Sequence, residues 1–319
     1  MRDRLGREIE YLRISVTQSC NLKCMYCEPD SCKGNRGSCT ALAPGEFESI
    51  VRVMVGVGIK KIRITGGEPL IRPDICDIIG SISGIPGIED LSMTTNGMRL
   101  GSMAEQLKIA GLMRINVSLD SLREDRFSYI TGGGKLSSVI KGIKKALEVH
   151  LTPVRINAVL IKGVNDDEID DFFMIARDYP IDVRFIELMP IGRFGEKNSD
   201  KIIYNSQIIA SHPGLMPLGE KGSTQPARYY TAEGYKGRVG FISPMSHKFC
   251  DSCNRIRLTC EGKLKPCLGN NGEADLTKVL RNNPDGLEEL IRKIVFNKPE
   301  GHNFGKDFIS DRNMSMIGG

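Results

Sequence analysis

Three thiols could do unusual chemistry in this chain: Cys20, Cys24 and Cys27, spaced C-x3-C-x2-C. They follow Leu12-Arg13-Ile14-Ser15-Val16-Thr17, an alternating segment that predicts a strand. A loop leaving a strand with this spacing can turn its sulfurs toward one point. Iron–sulfur clusters take thiolate ligands, usually four per cluster. Three thiolates on a 4Fe–4S cube leave one iron open to something that is not protein. Structural zinc needs a closed set of four, and no His or fourth Cys stands at a standard offset here.

A second trio, Cys250, Cys253 and Cys267, has the spacing C-x2-C-x13-C. Read alone it also fits a zinc ribbon, with Cys260 or His247 as candidate fourth ligand. Of the ten cysteines, Cys32, Cys39, Cys76 and Cys260 are left without a role. A chain of 319 residues can bury enough apolar surface to need no disulfide framework.

The elements that position these thiols alternate. Strands are predicted at Lys61–Thr65, Leu91–Asn96, Met113–Asp120, Val154–Ile161 and Ile181–Met189. Helices are predicted at Pro44–Val57, Asp74–Ile82, Ser102–Ala110, Ser137–His150 and Asp166–Tyr179, the last capped by Asn165. Six such alternations argue for a parallel sheet with right-handed crossovers. Gly132-Gly133-Gly134-Lys135 lacks a phosphate-loop frame and reads as a connection. After Pro190 the alternation stops. A helix at Tyr204–Ser211, a hairpin over Ala227–Ser243, a helix at Leu287–Phe296 and a loop-like tail follow, which predicts a division into residues 1–190 and 191–319.

One phase of the strands is polar: Arg13 and Ser15, Arg63 and Thr65, Ser92 and Thr94, Arg114, Asn116 and Ser118, Arg155 and Asn157. The other is apolar: Ile14, Ile62 and Ile64, Ile115 and Val117, Val154 and Ile156. Side chains alternate across a strand, so the apolar faces pack on helices and the polar faces share a lumen whose arginines demand anions. The expectation is an α/β open barrel with a cationic interior.

The net charge is +5, with no Trp, few aromatics and no Lys/Arg-rich block, which argues against nucleic acid and for a small polyanion such as a nucleotide. No apolar run approaches the ~20 residues needed to span a bilayer. The opening Met1-Arg2-Asp3-Arg4-Leu5-Gly6 lacks the apolar core of a signal peptide, so a cytoplasmic protein is expected.

The C-x3-C-x2-C loop, with Thr65-Gly66-Gly67-Glu68-Pro69 after the next strand, resembles the radical SAM superfamily. The resemblance implies a partial (β/α)6 TIM-like barrel with an appended C-terminal cluster-binding module. It also implies a 4Fe–4S cluster whose open iron chelates S-adenosylmethionine. Phe249-Cys250, Cys253-Asn254-Arg255-Ile256-Arg257-Leu258, Cys267-Leu268 and the terminal Gly318-Gly319 are similar to the GTP 3′,8-cyclase family of molybdenum cofactor biosynthesis. That likeness implies a second 4Fe–4S cluster on Cys250, Cys253 and Cys267. S-adenosylmethionine would meet Tyr26, Gly67, Ser118, Arg184 and Met189. GTP would meet Arg13, Arg63, Thr94, Arg155, Arg255, Ile256 and Arg257, and Gly318 and Gly319 would enter the active site. Arg155 stands where the family often has Lys, which keeps the charge and changes the geometry. The implied partners are a ferredoxin- or flavodoxin-type electron donor and a downstream cyclic pyranopterin phosphate synthase, with a homodimer left open. A peptide-modifying radical enzyme is the nearest alternative; a zinc-bearing structural protein, the more distant one, leaves Gly66–Pro69 and the cationic strand faces unexplained.

Overall fold

Alternation in the strands sorts the chain into two faces. In the computed structural model, which describes residues 1–27, 41–219, 224–304 and 308–318, six parallel strands run side by side in chain order. They are β1 (Tyr11–Ser15), β2 (Lys61–Thr65), β3 (Asp90–Thr95), β4 (Arg114–Ser118), β5 (Val154–Leu160) and β6 (Ile181–Glu187). Helices α1 (Pro44–Gly56), α2 (Ile75–Ser83), α3 (Leu100–Ile109), α4 (Glu124–Thr131), α5 (Leu136–Glu148) and α6 (Ile169–Asp178) fall between them. Ile14, Ile62, Ile64, Ile115, Val117 and Ile156 form one core with Phe47, Ile50, Ile78 and Leu107 of the helices. The other phase faces the lumen, as the alternation predicts. Cys32, Cys39 and Gly319 lie outside the described residues.

The last third of the chain feeds both edges of this sheet. Its helices are α7 (Gly192–Lys197), α8 (Asn205–Ser211), α9 (Thr277–Asn282), α10 (Leu287–Phe296) and α11 (Met314–Ile317). Its strands are β7 (Met216–Pro217), β8 (Ala227–Thr231), β9 (Val239–Ile242), β10 (Arg255–Leu258), β11 (Lys263–Lys265) and β12 (Ala274–Asp275). β9 lies parallel to β6, with Val239 opposite Val183, and β10 lies parallel to β1, with Arg255 opposite Tyr11. The sheet therefore runs β12-β11-β10-β1-β2-β3-β4-β5-β6-β9-β8-β7. This is a mixed α/β fold built on a partial (β/α)6 barrel. Among the described residues no helix is long and apolar enough to cross a membrane.

Three local readings change. Asn165 does not cap α6 through its side chain. Its amide donates to the carbonyls of Asp120 (2.7 Å) and Val159 (2.9 Å) and its oxygen accepts from Ile161 N (2.8 Å). Those bonds tie the ends of β4 and β5, and a short 3-10 turn at Asp166–Glu168 leads into α6. Helix α4 is present although its eight residues are too short and polar to announce themselves. The tail is not all loop, since α11 folds just before Gly318.

Candidate active site

The first cysteine loop rests on the turn after β2, and glycine makes that possible. Gly67 N donates to Thr17 O (2.7 Å) and Glu68 N to Ser19 O (2.8 Å). A Cβ on Gly66 would stand 2.7 Å from Thr17 O, and one on Gly67 would run into the Ser19 carbonyl. Only residues without side chains allow two backbones this close. On its other side the loop caps α4: Lys23 N donates to Thr131 O and Met25 N to Ile130 O, both at 2.9 Å. The orphan carbonyls of a helix end thus hold the loop from behind.

Glu68 is buried beneath this turn. It accepts from Leu70 N (2.9 Å), Thr95 Oγ1 (2.6 Å) and Asn96 N (2.7 Å), joining β2 to β3. Burial pushes its carboxyl up to about 6, although those donors pull the other way. Tyr26 donates to Asp120 Oδ2 at 2.6 Å, and Asp120 Oδ1 accepts from Val159 N at 2.8 Å. Burial likewise raises Asp120 to about 6. The Cys24 thiol rises well above its usual value through burial, then through Asp120, Cys27 and Cys20.

Strand register assembles the lumen. Arg257, Arg13, Arg63, Ser92 and Arg114 are successive partners across β10, β1, β2, β3 and β4. Thr94, Asn116, Arg155 and Asp182 form a second row, and Ser118, Asn157 and Arg184 a third. Neighbouring strands lie ~4.8 Å apart, so the first row stacks like charges. Some are neutralised: Arg114 forks onto Asp90, and Arg155 shares Asp182 (3.2 Å) with Arg238 (2.8 Å). Others are not. Among the described residues Arg184 is held only by the amide oxygens of Asn157 (2.8 Å) and Asn116 (2.7 Å). Arg13 Nε and Thr94 Oγ1 are buried without a hydrogen-bond partner among the described residues. Burial, then Arg257 and Arg63, drive Arg13 well below its ordinary value, and burial with Arg255 brings Arg257 to about 10. A buried cation cluster of this kind is stable only when an anion completes it.

The second trio closes the open side. Cys253 N donates to Cys250 O at 3.1 Å, and Arg255 Nη2 approaches Cys253 Sγ at 3.7 Å. Burial raises the Cys253 thiol, but Arg255 and Lys298 outweigh it and bring it to about 7. Among the described residues no group of three or more His, Cys, Asp or Glu is arranged to hold a single metal ion. Cys260 is buried in the core and neither it nor His247 lines the cavity, so neither is placed as a fourth ligand.

Both trios line one cavity of about 560 Å³. So do Tyr26, Gly67, Ser118, Arg184 and Met189, and also Arg13, Arg63, Thr94, Arg155, Arg255 and Arg257. Ile256 does not. Its side chain is fully buried in the core, in register with Leu12, which leaves only its main chain for binding. Gly318 is buried beside the lumen with φ +70°, where a Cβ would strike Thr65 Oγ1. Arg257 Nη1 donates to Ile317 O (3.1 Å) and to Gly318 O, so this arginine also anchors the tail. Lys61, Asp90 and Lys298 line the cavity without having been singled out in the sequence. The polar phase of β2 and β3 would have found the first two; nothing local marks Lys298.

Soft thiolates in threes, beside a cradle only glycine permits and orphaned polar atoms in a cationic lumen, fit an iron–sulfur cluster with a polar organic ligand. A model of the Radical SAM superfamily matches residues 14–175, and one of Molybdenum Cofactor Synthesis C matches residues 181–304. The fold agrees. Streptococcus suis SuiB bound to S-adenosylmethionine superposes with a TM-score of 0.61 at 18% identity, over 89% of this chain and 68% of that one. SuiB bound to the precursor peptide SuiA gives 0.62 at 19%, over 90% and 67%. The class is therefore a radical SAM barrel, which implies a 4Fe–4S cluster and S-adenosylmethionine.

Relatives narrow it. A GTP 3′,8-cyclase of Alkaliphilus metalliredigens is 49% identical over 321 residues, and one of Clostridium botulinum 47% over 322, each covering 100% of both chains. The chain belongs to the GTP 3′,8-cyclase family of the radical SAM superfamily.

Proposed function

We propose that the chain is an S-adenosylmethionine-dependent lyase that converts GTP to 3′,8-cyclo-7,8-dihydro-GTP, the first step of molybdenum cofactor biosynthesis. The observation that carries the reading is one cavity lined by both thiol trios and by buried arginines. Its volume of about 560 Å³ falls in the range of small-molecule sites. Cys20, Cys24 and Cys27 would hold the catalytic 4Fe–4S cluster, and Cys250, Cys253 and Cys267 would hold a second one to bind the guanine.

When bound, the first cluster and S-adenosylmethionine would supply a 5′-deoxyadenosyl radical to take the C3′ hydrogen of GTP; bonding of C3′ to C8 leaves an unpaired electron on the purine, which a second electron and a proton remove. The chain's own work is placement and exclusion of water. Tyr26, Gly67, Ser118, Arg184 and Met189 seat S-adenosylmethionine. Arg184, fixed by two neutral amides, keeps a whole positive charge for an anionic group. Arg13, Arg63, Thr94, Arg155, Arg255, the main chain of Ile256, and Arg257 receive GTP, the arginines of the first row lying where a triphosphate offsets their crowding. Gly318 and Gly319 act in the active site, and Gly318 passes Thr65 where any side chain would clash. Residues 1–190 act as the radical-generating unit and residues 191–319 as the substrate unit. A ferredoxin- or flavodoxin-type protein supplies the two electrons, one for S-adenosylmethionine cleavage and one for the cyclised purine, and a cyclic pyranopterin phosphate synthase consumes the product, in the cytoplasm.

The test is anaerobic incubation with GTP, S-adenosylmethionine and dithionite, followed by chromatographic separation and fragment-ion mass analysis of the nucleotide. A product of unchanged mass and altered structure, formed with 5′-deoxyadenosine, is expected. 5′-Deoxyadenosine with unaltered GTP overturns the proposal and favours a peptide substrate. Removing Gly318 and Gly319 tests the tail: undiminished cyclisation would end its role.

A further inference from the structure

The turn after α10 is bolted across all three cysteines of the second trio. Lys298 Nζ donates to Arg255 O (2.9 Å), two residues beyond Cys253, and to Pro266 O (2.6 Å), next to Cys267. Arg7 Nη1 donates to Cys250 O (2.9 Å) and Glu300 O (2.8 Å), and Arg7 Nη2 to Pro299 O (2.6 Å). A Cβ on Gly301 would stand 3.4 Å from Cys250 Sγ. Three segments far apart in sequence, near residues 7, 250–267 and 298–301, therefore meet at one point.

Lys298 is 1% exposed, lines the cavity and has no carboxylate partner among the described residues. Arg7 differs, because it carries Asp3 at 2.6 Å as its own counter-ion. A buried ammonium satisfied only by two carbonyls lacks a balancing charge. The groups whose negative charge acts on it are Cys253 and Cys267, the thiols flanking the two carbonyls it binds.

We propose that Lys298 is the built-in counter-cation of the second cluster and the staple of its cysteine loop. This rests on the reading that the second trio holds such a cluster. A fixed positive charge in a dry site favours the more negative, reduced state of the cluster. It also holds the two loop segments at ligating distance before iron arrives.

The test uses the full chain, purified anaerobically, as Lys298→Met and Lys298→Arg, with the potentials of both clusters read by spectroscopic redox titration. Lys298→Met should shift the second cluster's equilibrium toward the oxidised form about tenfold, 59 mV for one electron. The first cluster, which serves as the internal reference, should not move. Iron should leave the second trio about tenfold faster under chelator, and Lys298→Arg should restore both within about threefold. Unchanged second-cluster potential and iron release in Lys298→Met overturn the proposal, as does an equal shift at both clusters. Where Lys298→Met holds no second cluster, melting of iron-free protein decides: an unchanged melt supports the staple, and a collapsed one that Arg does not rescue overturns it. A wild-type chain with one cluster, or with zinc at Cys250–Cys267, overturns instead the reading beneath.

Discussion

At the Cys20–Cys24–Cys27 end of the cavity the neighbouring ionisable groups are acids. Asp120 adds to the burial that raises Cys24, and Glu68 does the same for Cys20. At the Cys250–Cys253–Cys267 end they are bases, with Arg255 and Lys298 drawing Cys253 down. The ligand count is identical and the surroundings are opposite in sign. A cationic sulfonium co-substrate is favoured near acids, and a polyanionic nucleotide near arginines. On the proposed reading, two like trios hold two unlike partners because the strands between them grade the charge. Arg155 and Arg114 are tied to carboxylates, whereas among the described residues Arg13, Arg184 and Arg257 have none.

The sharpest way to break this comparison is to remove one thiol at each end. Cys24→Ala should lose S-adenosylmethionine cleavage and cyclisation together, by more than about 10³-fold, because the cofactor carries the hard chemistry. Cys253→Ala should lose cyclisation yet still release 5′-deoxyadenosine. Chromatography of both products checks it, and identical behaviour of the two variants would mean the ends do not divide the work.

Next come the arginines between. Arg13→Gln should raise KM for GTP about ten- to hundredfold, the worth of a charge-assisted bond of about 1.5–3 kcal/mol, with KM for S-adenosylmethionine unchanged. Arg155→Gln should cost about threefold, since Asp182 already claims part of its charge. Equal effects from steady-state kinetics would show that the ion pairs do not grade the lumen.

Gly67→Ala should act on one end only. Its methyl would meet the Ser19 carbonyl, displacing the first loop at a cost of about 1–3 kcal/mol. Iron analysis should show loss at the first trio with the second retained.

The smallest effect concerns Asp182. Burial raises its carboxyl, but Arg238 and Arg155 outweigh burial and hold it below its ordinary value. A depressed folded value gives stability that is present above the unfolded carboxylate range, ~4, and lost as pH falls through the folded value. Asp182→Asn should therefore lower the melting temperature by about 2 °C at pH 7 and by progressively less below pH 4. Melts from pH 3 to 7 measure it, and a gap that stays constant with pH would deny the linkage.

Much of this was legible locally. β2 has the limits its alternation predicts, as does α10, and the arginines of β1, β2 and β4 face the lumen because a period of two leaves them no other side. Thiol spacing marked the first trio for the same reason, since three thiols on one short loop need no distant partner, whereas Cys267 meets Cys250 and Cys253 only after β10 and β11 have folded. Asn165 misled because a cap and a strand-end bridge use the same short amide, and only its neighbours decide which. Ile256 lies between two arginines whose faces it does not share, so its side chain joins the core and only its main chain is left for the site.

The chain alone thus determined which residues are chemically unusual and which face of each strand they occupy, because spacing and periodicity act within a few residues. Folding decided that β10 would lie against β1 across some 240 residues of sequence, bringing Arg257 beside Arg13. It also decided that Lys298 and Arg7 would brace the second trio, and that Gly318 would reach Thr65. Those meetings depend on burying one core beneath a twelve-stranded sheet, and no local pattern encodes the distance such a core spans.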